Sequence, residues 1–275
     1  MKTPKTPKTL LTGLGFGESP RWHGGRLWFC NWGTGEIISV DESGGSRVEL
    51  TVPVKIPYCI DWLADGRLLV VLGPEGALAR LEPDGTMATH AKLGEGMLNE
   101  IVLDGYGNIY VNGGGFDGPG NIFVVTPAGD VRQVADGIEF GNGMVVTADN
   151  STLIVAESWG NKLSAFDIAP DGSLANRRVW ASLGAGTPDG ICLDSSGAVW
   201  YADVPNQCCV RVREGGEVLE RVELDRGGFA CALGASTLYI VAAEFHGFET
   251  MVEDLAARSG ILAAIEVSVP GLPSR

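Results

Sequence analysis

The stretch DGICLDSSGAVWYAD, residues 189–203, decides the fold. An Asp-Gly pair opens an alternating apolar run, Asp-Ser-Ser-Gly forms a turn, and a second apolar run closes on Asp203. Two runs of period 2 joined by a short Gly-containing turn specify a β-hairpin. The same plan recurs in ESPRWHGGRLWFCN from 18, CIDWLADGRLLVVL from 59, NEIVLDGYGNIYVN from 99, NGMVVTADNSTLIVAE from 142 and FACALGASTLYIVAAE from 229. Successive starts are 41, 40, 43, 47 and 40 residues apart. A third run, and often a fourth, follows each hairpin, as in GEIISVDESGGSRVEL from 35 and NKLSAFDIAPDGSLANRRVW from 161. A four-stranded unit of about 40–50 residues is one propeller blade. Six units therefore predict an all-β, six-bladed β-propeller with four antiparallel strands per blade.

A propeller must close its ring. TLLTGLGF, residues 9–16, and SGILAAIEVSVP, residues 259–270, are both strand-like and are expected to pair within one blade, joining the N- and C-terminal strands. ETMVEDLAARSG, residues 249–260, is the one helical candidate, with Met251, Leu255 and Ala256 on one face. No Pro/Ser-rich linker interrupts the period, so residues 9–275 are expected to form a single domain behind a flexible tail in residues 1–8, which holds most of the tract KTPKTPKT from 2.

The chain has 275 residues, 40 of them Gly spread along its length, and is 45% hydrophobic, which suits many short strands and tight turns. Twenty basic against 34 acidic residues give a formal net charge of -14. That charge repels the phosphate backbone, so no nucleic-acid partner is expected. No apolar run approaches the roughly 18 residues of a membrane span, and MKTPKTPKTLLTGL lacks a long apolar leader core, so no membrane partner and a cytoplasmic location are expected. The sequence points to no protein partner. Of the six cysteines, Cys59, Cys192 and Cys231 lie in apolar runs, none forms a CxxC pair, and all are expected to be structural.

The six units begin at Glu18, Cys59, Asn99, Asn142, Asp189 and Phe229. In a propeller, equivalent positions at the start of each first strand converge near the axis. Four of the six carry side-chain oxygens, a hard-donor set that suits Ca²⁺, Mg²⁺ or Mn²⁺ and lacks the Cys or His usual for zinc. The competing interpretation is that Asx residues at strand entrances cap backbone N–H groups in turns.

GESPRW near the N-terminus, NGM at 142–144 followed by ADNSTLIVAES, FDIAPDGSL, and PDGICLDSSGAVWYAD together resemble the regucalcin (senescence marker protein), gluconolactonase and luciferin-regenerating enzyme family. The resemblance spans nearly the whole chain at blade spacing. It implies a six-bladed propeller with one divalent metal ion on its axis, Ca²⁺ first and Mg²⁺, Mn²⁺ or Zn²⁺ as alternatives, and hydrolysis of a lactone or related ester. It assigns Glu18, Asn142 and Asp189 as metal ligands, Asp189 also as the proposed base. The family's Asn-Asp motif appears as Asn99-Glu100, which makes Asn99 a catalytic and substrate-contacting candidate.

The departures bear on the substrate. Sugar-lactone members place an Arg two residues before that Asn and a Glu beyond the next strand; here stand Met97 and the glycines Gly113 to Gly115. Met and Gly cannot bind polyol hydroxyls, so a substrate less polar than a sugar lactone is expected. Met97, Tyr58, Phe116, Trp159 and Phe229 are the expected substrate contacts, with Trp32, Trp62 and Phe245 as further candidate walls. His246, at the end of the last unit, is a substrate-contact candidate and a rival acid or base, whereas His23 and His90 are expected to be exposed bystanders. No G-x-S-x-G elbow is present, which argues against serine-type hydrolysis. The alternative functions are a non-catalytic ligand-binding propeller and a lyase or isomerase on the same fold.

Overall fold

The computed structural model describes residues 6–53, 56–94, 96–114 and 118–272. These residues form six four-stranded antiparallel sheets, the blades of a six-bladed β-propeller. Each sheet has one edge strand drawn from the start of a repeat unit: Gly17–His23, Ile60–Trp62, Leu98–Leu103, Gly141–Val146, Pro188–Leu193 and Gly227–Gly234. Five sheets are meanders in chain order. The sixth is completed by Lys8–Leu14, which pairs with Gly260–Glu266 from Lys8 against Ala264 to Leu14 against Gly260. The N- and C-terminal strands thus close the last blade as the sequence predicts.

Two compact units hold three blades each: Met1–Pro53 with Gly186–Arg275, and Val54–Ala185. In the first unit, apolar faces of neighbouring blades pack in two layers. Leu27, Phe29, Ile38 and Val40 meet Ala230, Tyr239, Val241 and Leu262. Trp200, Ala202 and Cys209 meet Cys231, Leu238 and Ile240. In the second unit, Leu69, Val71 and Leu78 pack on Ile101, Ile109 and Val111, and Tyr110, Ile122 and Val124 pack on Met144, Leu153 and Val155. Strands of the middle sheet of each unit are apolar on both faces because a neighbouring sheet packs on either side.

The helical candidate is a 3-10 turn, Phe248–Thr250, followed by the helix Met251–Ala257, which ends at a left-handed Arg258. Met251 and Leu255 pack against Phe16, Phe229 and Ala243. Ala256 is exposed, contrary to the expectation, because residues four apart share a helix face and residues five apart do not. All six cysteines are free thiols; five are buried and Cys192 is half-buried. Among the described residues no helix is long and apolar enough to cross a membrane.

Candidate metal and substrate site

Strand register shows which residues are equivalent. In five blades the edge strand opens against the end of its neighbour: Gly17 faces Asn31, Leu98 faces Gly113, Gly141 faces Glu157, Pro188 faces Asp203 and Gly227 faces Ala243. The next residue along is therefore Glu18, Asn99, Asn142, Asp189 and Gly228. In the sixth blade Gly228 takes the place expected for Phe229. In all five blades the register then slips within the next three residues, a bulge, whereas the second blade pairs Ile60 to Trp62 without a slip. A bulge inserts one residue, bends the strand and re-aims the side chains beside it. The four oxygen-bearing residues thus share one register position and one local distortion.

In the first unit, Glu18 is only 7% exposed, and its Oε2 accepts the N–H of Ser19. Ser19 has φ 49, the left-handed backbone that the turn after Glu18 requires. Asp189 is half-buried; the residue makes other contacts, but its buried Oδ1 accepts no hydrogen bond. Gly190 explains why the pair is Asp-Gly. A Cβ built on it would lie 2.3 Å from the Cβ and 2.7 Å from the Cα of Ala230, in the next blade. Gly190→Ala must therefore push two edge strands apart. It is expected to destabilise the fold by about 1–3 kcal/mol, read as a lower urea midpoint, and an unchanged midpoint would refute the close approach.

In the second unit, Asn99 and Asn142 are both half-buried. Asn99 Nδ2 donates to the Gly141 carbonyl at 3.2 Å, which ties it to the residue preceding Asn142. Asn112, fully buried on the second strand of the third blade, donates from Nδ2 to the Asn142 carbonyl and accepts the Glu100 N–H at 3.0 Å. Glu100 is itself buried, its Oε1 accepting the Ile101 N–H at 2.8 Å. The Cys59 thiol donates to the Asn99 carbonyl, a structural use of that cysteine.

The sequence reading missed a set of supporting side chains. Asn31, Glu157 and Asp203 occupy one register position, opposite Gly17, Gly141 and Pro188, and are at most 3% exposed. Each accepts a backbone N–H from the segment leading into the edge strand: Gly15 at 2.9 Å, Glu139 at 2.8 Å and Thr187 at 3.0 Å. They fix the approach to Glu18, Asn142 and Asp189. Burial pushes the Glu157 carboxyl up, but the Glu139 amide, the Ser164 hydroxyl and the Arg177 guanidinium outweigh it and leave it below the usual carboxylate range. A signal was present, since each apolar run in FCN, VAE and YAD closes on a polar residue.

The aromatic candidates divide by burial. Tyr58 is fully buried and Phe229 nearly so, the latter stacked on Phe16 with ring centroids 4.6 Å apart. Trp32, Trp62 and Phe245 are half-buried. Trp159 is 49% exposed and stacks on Phe140 at 4.6 Å, next to the Asn142 strand, and Met97 is 39% exposed. Phe116 lies outside the described residues. His23 and His90 are half-buried rather than exposed, and burial lowers the pKa of both. His246 is exposed on the loop after Ala243.

Fold and register together define a six-bladed propeller with oxygen donors at the entrance of four edge strands. The chain belongs to the SMP-30/gluconolactonase/LRE-like family, whose sequence profile matches residues 16–244. It is 25% identical over 278 residues to a 6-deoxy-6-sulfogluconolactonase of Pseudomonas putida, covering 93% of this chain and 92% of that one. It is also 25% identical over 221 residues to a pentonolactonase of Haloferax volcanii, covering 78% and 75%. A crystal structure of a calcium-binding regucalcin from Agrobacterium tumefaciens superposes with a TM-score of 0.81 at 20% identity, covering 98% and 96%, which shows the shared fold.

Proposed function

We propose that the protein is a metal-dependent hydrolase of a lactone or related ester, acting on a small-molecule substrate less polar than a sugar lactone. One observation carries this assignment: Glu18, Asn99, Asn142 and Asp189 hold one register position in four blades, each beside a bulge that a plain sheet does not need. The lactonases among the relatives support the reaction type.

The donor set fits a hard divalent cation. Carboxylate and carboxamide oxygens are the ligands such ions take, and Glu18 is a carboxylate held largely out of water at the shared register position. Glu18, Asn142 and Asp189 would hold the ion, with Ca²⁺ the first candidate. When bound, it supplies Lewis acidity toward the substrate carbonyl.

The remaining chemistry belongs to the side chains. Asp189 accepts a proton from water as the water oxygen adds to the carbonyl carbon; the acyl C–O bond then breaks, and the leaving alkoxide takes up a proton. Asn99, its Nδ2 held by the Gly141 carbonyl, keeps Oδ1 as an acceptor that orients substrate or water. Exposed Met97 and Trp159, with Gly113 lacking any side chain, favour apolar contact over hydroxyl binding.

Chelation followed by add-back of Ca²⁺, Mg²⁺, Mn²⁺ or Zn²⁺ tests the assignment against gluconolactone, apolar γ- and δ-lactones and aryl esters. Turnover that disappears on chelation, returns with metal and favours apolar lactones is the expected result. Metal binding without turnover of any ester would overturn the hydrolase, and preference for gluconolactone would overturn the substrate class.

A further inference from the structure

We propose that His246, oriented by Asp254, is the general acid of this site and protonates the leaving alkoxide. This role rests on the hydrolase assignment above, which leaves the proton for the alkoxide without a donor.

The pair is built rather than incidental. The His246 N–H donates to Asp254 Oδ2 at 2.8 Å, and the imidazole Nδ1 lies 2.7 Å from Asp254 Oδ1. A carboxylate only accepts, so Nδ1 carries a hydrogen and Nε2 is the ring atom left for chemistry. Thr250 Oγ1 also donates to Oδ2, at 3.3 Å. The Asp254 side chain is 8% exposed, whereas that of His246 is 65% exposed. A buried carboxylate thus holds an exposed imidazole in one orientation, the arrangement that positions a proton-transfer histidine.

The fold puts this pair at the right end of the blade. His246 lies three residues after Ala243, which faces Gly227 beside the shared register position. The adjacent Phe245 packs its ring edge-on against Phe16 and Phe229, each at 5.9 Å. Phe16 is two residues before Glu18, and Phe229 follows Gly228. Met251 and Leu255 of the helix that carries Asp254 press on the same aromatic cluster. Glu18, Asp189, His246 and Asp254 all belong to one compact unit.

The charge around His246 suits an acid. The hydrogen bond that His246 donates to Asp254, then the charge of Asp254, then that of Glu244 raise the His246 pKa above its ordinary value. Arg226, on which the Glu244 charge also acts, donates to the Ser259 carbonyl, and Glu249 and Glu253 add further negative charge on the helical segment. Protonated His246 gives its Nε2 proton to the alkoxide oxygen as the acyl C–O bond breaks, and solvent returns a proton to the ring while Asp189 releases the one taken from water.

The test compares wild type, His246→Gln and Asp254→Asn on an alkyl lactone and an aryl ester across pH. Alkoxides need the acid; phenolates leave without it. His246→Gln is expected to lower lactone kcat/KM by about 10²–10⁴-fold and to remove the alkaline limb, while aryl ester turnover falls less than about 10-fold. Asp254→Asn is expected to move that limb, and the His246 titration followed by NMR, to lower pH. An unmoved limb, or equal loss on both substrates, overturns the acid role while leaving the hydrolase intact. Wild-type failure on every ester overturns the hydrolase and this role with it.

Discussion

Asp189→Asn is expected to lower kcat/KM for the wild-type substrate by about 10²–10⁴-fold while leaving the fold intact. The replacement keeps the shape and removes the charge. Two losses combine: the carboxamide cannot take a proton from water, and it is a weaker ligand for a hard cation than a carboxylate. The position is half-buried and the replacement keeps its shape, so melting should stay close to wild type, which separates a chemical defect from a folding one. Calcium titration by calorimetry provides the second readout, with affinity expected to fall in parallel. Activity within about threefold of wild type would remove Asp189 from the mechanism and leave the register position a structural coincidence.

The second large effect lies far from the chemistry. Arg211→Ala is expected to destabilise the protein by about 3–5 kcal/mol, lowering the melting temperature by roughly 10 °C. Arg211 Nε donates to Asp194 Oδ2 at 2.7 Å, and Nη1 and Nη2 reach Glu220 and Ser196 at 3.0 Å each. Its side chain is 9% exposed and that of Asp194 is fully buried. Removing the guanidinium strands a buried carboxylate, which costs more than the pair itself contributes. The same network holds the C-terminal segment, since the Ser195 N–H donates to the Pro270 carbonyl and Ser268 Oγ to Glu220. Loss of less than about 1 kcal/mol would mean that water reaches Asp194 and screens it.

Several features of this molecule were legible without coordinates because they are local. Alternating apolar residues, Asp/Gly turns and a repeat of roughly 43 residues specify hairpins and then blades, since strand period and turn chemistry act over a few residues. Closure through Lys8–Leu14 and Gly260–Glu266 followed from two leftover strand-like segments and the requirement that a ring leave no open edge. Asp189 and Asn142 stood out because they recur at the same place in successive units.

Other features depend on how strands pair. The bulges after Glu18 and Gly228 are register shifts, so sequence alignment alone set the sixth blade one residue late, at Phe229 instead of Gly228. Asn31, Glu157 and Asp203 read as polar ends of apolar runs, and only the folded chain shows each catching an amide 16 to 18 residues away. The need for Gly at 190 comes from Ala230, forty residues on in the neighbouring blade. His246 meets Asp254 because a helical turn folds back between them. The sequence by itself determined the blade, its number and the oxygen donors, because periodicity is a property of neighbours along the chain. Which atoms those residues face was decided only by tertiary structure, because hydrogen bonds and steric contacts form between residues that the chain keeps far apart.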